Sequence, residues 1–272
     1  ADYDKSLISA GGGVFPRSAK QIPVRPEMAE ALGLTDAPES LPPLEVMRAI
    51  LKAPVDLLWN GGIGTYVKAE EETNADAGDK ANDGLRVNGE ELRAKCVGEG
   101  GNLGFTQLGR IEYALFGGGG KGGRMNTDFI DNSAGVDTSD HEVNIKILLA
   151  DQIARDALTL EERNELLASM TDEVAQLVLA HNVDQNLALS NSMSRAGELT
   201  GAYEGWMHAL EEAGYLDRQI EFPRHASSMR VVRRVAGSPD PSWRPCWPGP
   251  RSTCPTRCWP RICPTIRISP TG

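Results

Sequence analysis

The apolar positions of this chain change their period once, near Ser139. Before that point, short apolar runs occur at residues 55–59, 95–97 and 125–130. Each ends in a small polar loop: Asn60-Gly61-Gly62, Gly98-Glu99-Gly100-Gly101-Asn102 and Asp131-Asn132-Ser133-Ala134-Gly135. Runs of this length bounded by Gly, Asn and Asp predict buried strands. Helical spacing intervenes at residues 44–51 and 106–116. Strands alternating with helices predict a parallel α/β sheet, whose ligands sit outside the carboxyl ends of the strands, where all three loops fall.

Beyond Ser139 the pattern is helical throughout. Val143, Ile147 and Leu148 form one stripe; Leu166, Leu167, Met170, Val174, Leu177 and Val178 form another. Further helices are predicted at residues 185–199 and 202–213, the last ending at Gly214. These stripes read as core, in a helical subdomain that closes over or braces the sheet.

Composition changes the picture at the far end. The 272 residues carry a net charge of −10, but residues 223–272 hold nine Arg and one acid, Asp240, and the rest stands at −18. The acidic body argues against nucleic-acid binding, which needs clustered Lys and Arg. The last segment also holds ten of the 17 prolines and Cys246, Cys254, Cys258 and Cys263, with no helical or alternating period. A zinc module is disfavoured there because no Cys-x-x-Cys occurs. A basic nucleic-acid or membrane-surface arm is a second reading. Out-of-phase reading of GC-rich codons accounts best for the bias, and this tail is expected to be disordered. No run approaches the roughly 18 apolar residues of a membrane span. The chain opens on Ala1 without a signal-like segment, and is read as a cytosolic chain cut from something longer.

Candidate chemistry concentrates at residues 126–146. Ser139 followed by Glu142 has the spacing of a capping box, which predicts a helix start there. The same helix terminus, with free N–H groups and a hydroxyl, is equally suited to receive a carboxylate. A metal set of Asp137, Asp140, His141 and Glu142 is weak, because acids at a helix start ordinarily answer its dipole, and no metal is expected. His181 and His208 are expected on helix surfaces, and Cys96 is expected to be a reduced strand cysteine. The glycine run at residues 117–123 is not a Walker loop, since Gly122 follows Lys121 where Ser or Thr is required, and it predicts a flexible hairpin-like connection. No Gly-x-Gly-x-x-Gly follows a predicted strand, so the turn that grips pyrophosphate in a dinucleotide fold is missing.

Asn132-Ser133-Ala134-Gly135-Val136-Asp137-Thr138-Ser139-Asp140-His141-Glu142 resembles the Asn-Ala-Gly-Gly-Val-Thr-Val-Ser-Tyr-Phe-Glu segment of the glutamate, leucine, phenylalanine and valine dehydrogenase superfamily. Glu99-Gly100-Gly101-Asn102 resembles its Glu-Gly-Ala-Asn. With the run from Gly11 to Lys20 and the run from Asp56 to Lys68, the chain is similar to the bacterial large NAD-specific glutamate dehydrogenases from about residue 3 to Phe222. The resemblance implies a partial Rossmann-like sheet, later strands only, over residues 1–138, and the all-helical subdomain over 139–222. It implies NAD as cofactor, held by Asn60, Gly61, Gly62, Glu99 and Asn102, with Asn102 by the nicotinamide ribose. It implies a pocket for L-glutamate or 2-oxoglutarate formed by Asn132, Gly135, Val136 and Ser139, with Ser139 on the distal carboxylate and ammonia as the other product.

It further implies a cytoplasmic homo-oligomer with neither nucleic-acid nor membrane partners. The catalytic Lys and Asp of the superfamily are expected upstream of Ala1, so this chain alone is expected to be inactive. The loop at residues 117–123 looks longer than the family's, and the tail departs from the family entirely. The alternative is a non-catalytic nucleotide-binding or assembly domain that kept the fold.

Overall fold

The computed structural model describes residues 4–217 apart from Arg17; the tail, and residues 218–222 of the expected helical subdomain, lie outside the described residues. Chain order begins with β1 (Ile22–Pro23), α1 (Pro26–Leu32), β2 (Ser40–Leu41) and α2 (Pro43–Leu51). Both helices begin on proline at N1, where the missing N–H costs nothing. Gly33, at φ 61°, closes α1. There follow β3 (Leu57–Asn60), β4 (Val67–Lys68), the single turn α3 (Asn74–Ala77), β5 (Val87–Asn88) and β6 (Cys96–Glu99). The remaining elements are all helices: α4 (Gln107–Gly120), α5 (Asp128–Asp131), α6 (Ser133–Ala154), α7 (Leu160–Ser169), α8 (Thr171–Ser194) and α9 (Ala196–Glu212).

The architecture is mixed α/β, as expected, and its central pairing is parallel. β3 and β6 run side by side with Leu57 opposite Cys96 and Asn60 opposite Glu99. β4 and β5 form a second parallel pair, and β1 and β2 an antiparallel one. The third strand expected at residues 125–130 does not form. Only Arg124 bridges, parallel to Cys96, and α5 takes up the end of the run. Asn126, Thr127 and Asp128 account for this, because short polar side chains favour a helix start over a strand. Asn126 Nδ2 donates to Asp131 Oδ1 at 3.0 Å, which closes that turn.

Val67, Val87, Leu92, Ala94, Val97, Phe105 and Tyr113 form the core between α4 and the strands. Each fully buried large side chain among them contributes roughly 1.5–3 kcal/mol. Tyr113 donates its hydroxyl to the Ala94 carbonyl at 2.9 Å, so its polar end is satisfied. Gly117 and Gly123, the two ends of the glycine run, pack directly over this residue. Gly118 donates its N–H to Leu92 O at 2.8 Å and Gly123 to Tyr113 O at 2.9 Å, and a Cβ on Gly123 would lie 1.9 Å from the phenol ring. The expected free hairpin is therefore pinned at its ends, where Gly117 and Gly123 are needed for close approach, while Gly118, Gly119, Gly120 and Gly122 take the positive φ of the turn between them.

Two arginines that sequence periodicity cannot place tie distant segments together. Arg93 donates to the carbonyls of Leu32, Gly33 and Lys52, anchoring the ends of α1 and α2. The buried Arg86 donates to Thr65 O, Asn74 Oδ1, Asp79 O and Asp83 Oδ1.

The helical region departs from expectation in its boundaries. α6 starts at Ser133 and runs unbroken through the 138/139 join. The stripe at Leu166 to Val178 is split between α7 and α8 at Met170, and the helix expected at 185–199 is the end of α8 and the start of α9, parted at Arg195. The stripes are largely not core: Val143, Ile147, Leu148, Leu166 and Leu177 are exposed, and of the residues read as core only Val178 is buried. Leu149, outside both stripes, takes the buried position on α6. Among the described residues no helix is long and apolar enough to cross a membrane.

Candidate active site

The carboxyl ends of β3 and β6 bring two glycine-containing loops into contact. Gly101 donates its N–H to the Asn60 carbonyl at 3.1 Å, and a Cβ on Gly101 would lie 2.5 Å from the Gly62 carbonyl oxygen. The Trp59 indole lies over Gly98 and Gly100, where added Cβ atoms would come within 2.6 and 2.4 Å of it. Asn60, Gly61, Gly62 and Asn102 thus occupy one end of the parallel pair. The Asn60 Nδ2 group is buried without a hydrogen-bond partner. Asn60 also lines an apolar cleft of about 290 Å³ with Leu58, Trp59, Tyr66 and Phe105.

Glu99 is fully buried and its carboxylate faces inward. Oε1 accepts the Phe105 N–H at 3.2 Å, and Oε2 accepts from Arg110 Nε at 2.9 Å. Burial pushes the Glu99 carboxyl above its ordinary value, and the Arg110 guanidinium opposes that rise without cancelling it. Arg110 also lies 3.7 Å from Asp128, whose Oδ2 accepts the Leu103 N–H at 2.8 Å. Leu103 sits at φ 58°, so this bond holds a backbone conformation that a branched side chain resists. Glu99 therefore shapes the loop from within; its own oxygens are committed.

Asp131 joins the next loop to this one: its Oδ2 accepts the Glu99 N–H at 2.9 Å. Asn132 follows, and its side-chain amide donates to Asn102 Oδ1. The two loops assigned by sequence to cofactor and substrate are thus joined by this amide pair as well as by Asp131. Asn182 of α8 donates to Ile130 O at 2.8 Å and Ser133 Oγ at 2.9 Å, fixing the head of α6.

The capping role expected for Ser139 is not observed. Ser139 lies in the second turn of α6, and its hydroxyl donates to Gly135 O at 3.1 Å. Glu142 pairs with Lys146 instead of reaching back. The helix extends upstream because Asn132 continues the α5 turn and Asn182 supports it, which offsets the roughly 1 kcal/mol that an interior Gly135 costs. Asn132, Gly135, Val136 and Ser139 nevertheless follow i, i+3, i+4 and i+7, which puts them on one face of α6. Gly135, Val136 and Ser139 on that face are exposed. The sequence reading missed Arg110, Asp128, Asp131 and Asn182; their roles depend on contacts 11 to 52 residues away, which no local spacing signals.

A profile of the family described as bacterial NAD-glutamate dehydrogenase, catalytic domain, matches residues 1–192. The chain belongs to that family. It is 58% identical over 222 residues to the NAD-specific glutamate dehydrogenase of Pseudomonas aeruginosa, an alignment covering 82% of this chain and 13% of that protein. To the protein of the same description from Halomonas elongata it is 54% identical over 223 residues, 81% of this chain and 13% of that one. To the one from Mycobacterium tuberculosis it is 52% identical over 226 residues, 81% of this chain and 14% of that one. The chain thus spans only about an eighth of the length of these family members.

Proposed function

We propose that this chain supplies the nicotinamide-side loops and one wall of the amino-acid cleft of an NAD-dependent glutamate dehydrogenase. Such an enzyme oxidises L-glutamate to 2-oxoglutarate and ammonia. The observation that carries the reading is the Asn132–Asn102 amide pair, which sets the exposed face of α6 against the loop beyond β6. Family membership supports the reaction class.

The residues present fit the nicotinamide end of NAD. The buried Asn60 Nδ2 is an unpaired donor at the rim of an apolar cleft, and the Gly61-Gly62 backbone leaves room for a sugar to approach, whereas Gly98, Gly100 and Gly101 are already covered by Trp59 and the Gly62 carbonyl. NAD would supply hydride acceptance. Asn102 would orient the ribose, with Asn60, Gly61 and Gly62 forming the facing loop and Glu99 keeping the Gly100-Gly101 backbone in shape. Asn132, Gly135, Val136 and Ser139 would line the amino-acid side, with the Ser139 hydroxyl turned from Gly135 O to the distal carboxylate. The division of labour proposed is residues 1–138 for the cofactor and 139–222 for bracing, with α6 continuous across the join. The working form proposed is a cytoplasmic homo-oligomer.

Kinetics in a chain extended to its relatives' length test the assignment. Ser139→Ala removes a charged hydrogen bond of roughly 1.5–3 kcal/mol, and kcat/KM for glutamate falls about 10- to 150-fold. Norvaline, which lacks the distal carboxylate, is hardly affected. Equal losses for both substrates would remove Ser139 from the pocket. No loss on Asn102→Ala would remove the loop beyond β6.

A further inference from the structure

We propose that Asp137, His141 and His181 bind a borderline divalent transition-metal ion, zinc in the first place, that clips α8 to α6. Asp137 and His141 stand one helical turn apart on α6, and His181 reaches them from α8. His181 Nδ1 lies 2.8 Å from Asp137 Oδ2, and His141 Nδ1 lies 3.2 Å from Asp137 Oδ1. The two imidazoles are stacked at 30° with centroids 5.7 Å apart. One donor atom from each of the three residues lies within 4.8 Å of the others. Zinc bonds of about 2.0–2.1 Å in tetrahedral geometry separate neighbouring donors by roughly 3–3.5 Å, so small side-chain rotations convert this cluster into a ligand set. Two imidazoles and one carboxylate suit zinc, cobalt or nickel better than calcium or magnesium.

The surroundings favour binding. Asn182, next to His181, fixes α8 against Ile130 and Ser133, so the ligand-bearing turns are held in place before an ion arrives. His181 is nearly half-exposed, which leaves a path from solvent, and the fourth position is open to water. His141 Nδ1 also lies 2.8 Å from the Asp137 carbonyl, a contact the ring gives up when it ligates. Helical spacing signalled only the Asp137–His141 half of this site; His181 arrives from 40 positions further on.

The test uses the full 272-residue chain with Cys246, Cys254, Cys258 and Cys263 changed to serine, so that thiols do not compete for metal. Titration with Zn²⁺ against a chromophoric chelator should show one equivalent bound. His181→Ala and Asp137→Asn should each weaken that binding by at least about 10-fold. X-ray absorption at the zinc edge should show two imidazoles. Absence of stoichiometric binding, binding unchanged in both variants, or a ligand shell without two imidazoles overturns the proposal. Should a variant lose its helical signal, the absorption measurement on the otherwise unaltered helices decides.

Discussion

Glu99 and Tyr113 show how burial sets the behaviour of single residues here. Glu99→Gln places an amide donor against Arg110 and leaves that guanidinium the Gln107 side-chain oxygen and, as its one remaining carboxylate, Asp128 at 3.7 Å. Breaking a buried pair from one side costs about 3–5 kcal/mol, and the expected loss is at the lower end because Asp128 remains. Urea unfolding of variant and parent measures it. Burial pushes the Tyr113 phenol above its ordinary 10.0. The folded state therefore holds this proton more tightly than the unfolded state does. Its stabilising contribution is complete below pH 10 and is lost as pH rises beyond it, by up to about 1.4 kcal/mol per pH unit. Tyr113→Phe leaves the Ala94 carbonyl unpaired and costs about 1–3 kcal/mol at neutral pH. Its stability curve should then fall less steeply than the parent's in alkali. Parallel curves above pH 10 would show that this phenol titrates freely.

At the scale of elements, the pairing of β3 with β6 matters because it presses two loops together. Gly101→Ala drives a methyl against the Gly62 carbonyl, and no rotamer can relieve a clash with backbone. A cost of about 1–3 kcal/mol is expected, with exposure of Trp59 fluorescence to quencher as the local readout. Gly135→Ala has open space around its Cβ and should instead raise stability by up to about 1 kcal/mol through helix propensity. Ser139→Ala should be neutral or slightly stabilising, where a true cap would have cost about 1 kcal/mol. The capping signature is present elsewhere: Thr159 and Glu162 make both bonds of a capping box at α7. The same four-residue spacing is thus a cap at Thr159 and mid-helix at Ser139. What differs is the upstream chain: Leu158 precedes a fresh start, whereas Asn132 carries a helix already begun.

Across the whole molecule, much apolar surface has no cover among the described residues. Trp59 is 58% exposed and Val136 66%, and Ile147, Leu148 and Val183 are exposed likewise. Surface of this kind ordinarily meets another protein surface. The family members to which the chain is similar are far longer, and the edge of β3 together with the outer face of α6 is where their remaining length is expected to pack. The 272-residue chain should therefore bind a hydrophobic dye such as ANS and self-associate with rising concentration. Extension to the relatives' length should suppress both. Dye binding unchanged by extension would assign these faces to contacts between subunits.

Periodicity alone determined the α/β class, the positions of β3, β6, α2 and α4, and the loops at the carboxyl ends where the candidate site lies. Apolar runs and loop glycines act within a few residues, and a local signal suffices to read them. The motif resemblance carried the family and the identities of Asn60, Asn102 and Asn132. Tertiary structure decided that Glu99 turns inward to Arg110, that Asn132 reaches Asn102, and that His181 meets Asp137. It also decided that α6 begins at Ser133, because the support from Asn182 comes from 49 positions along the chain. Such contacts join residues whose separation in sequence carries no period, and only packing can select them.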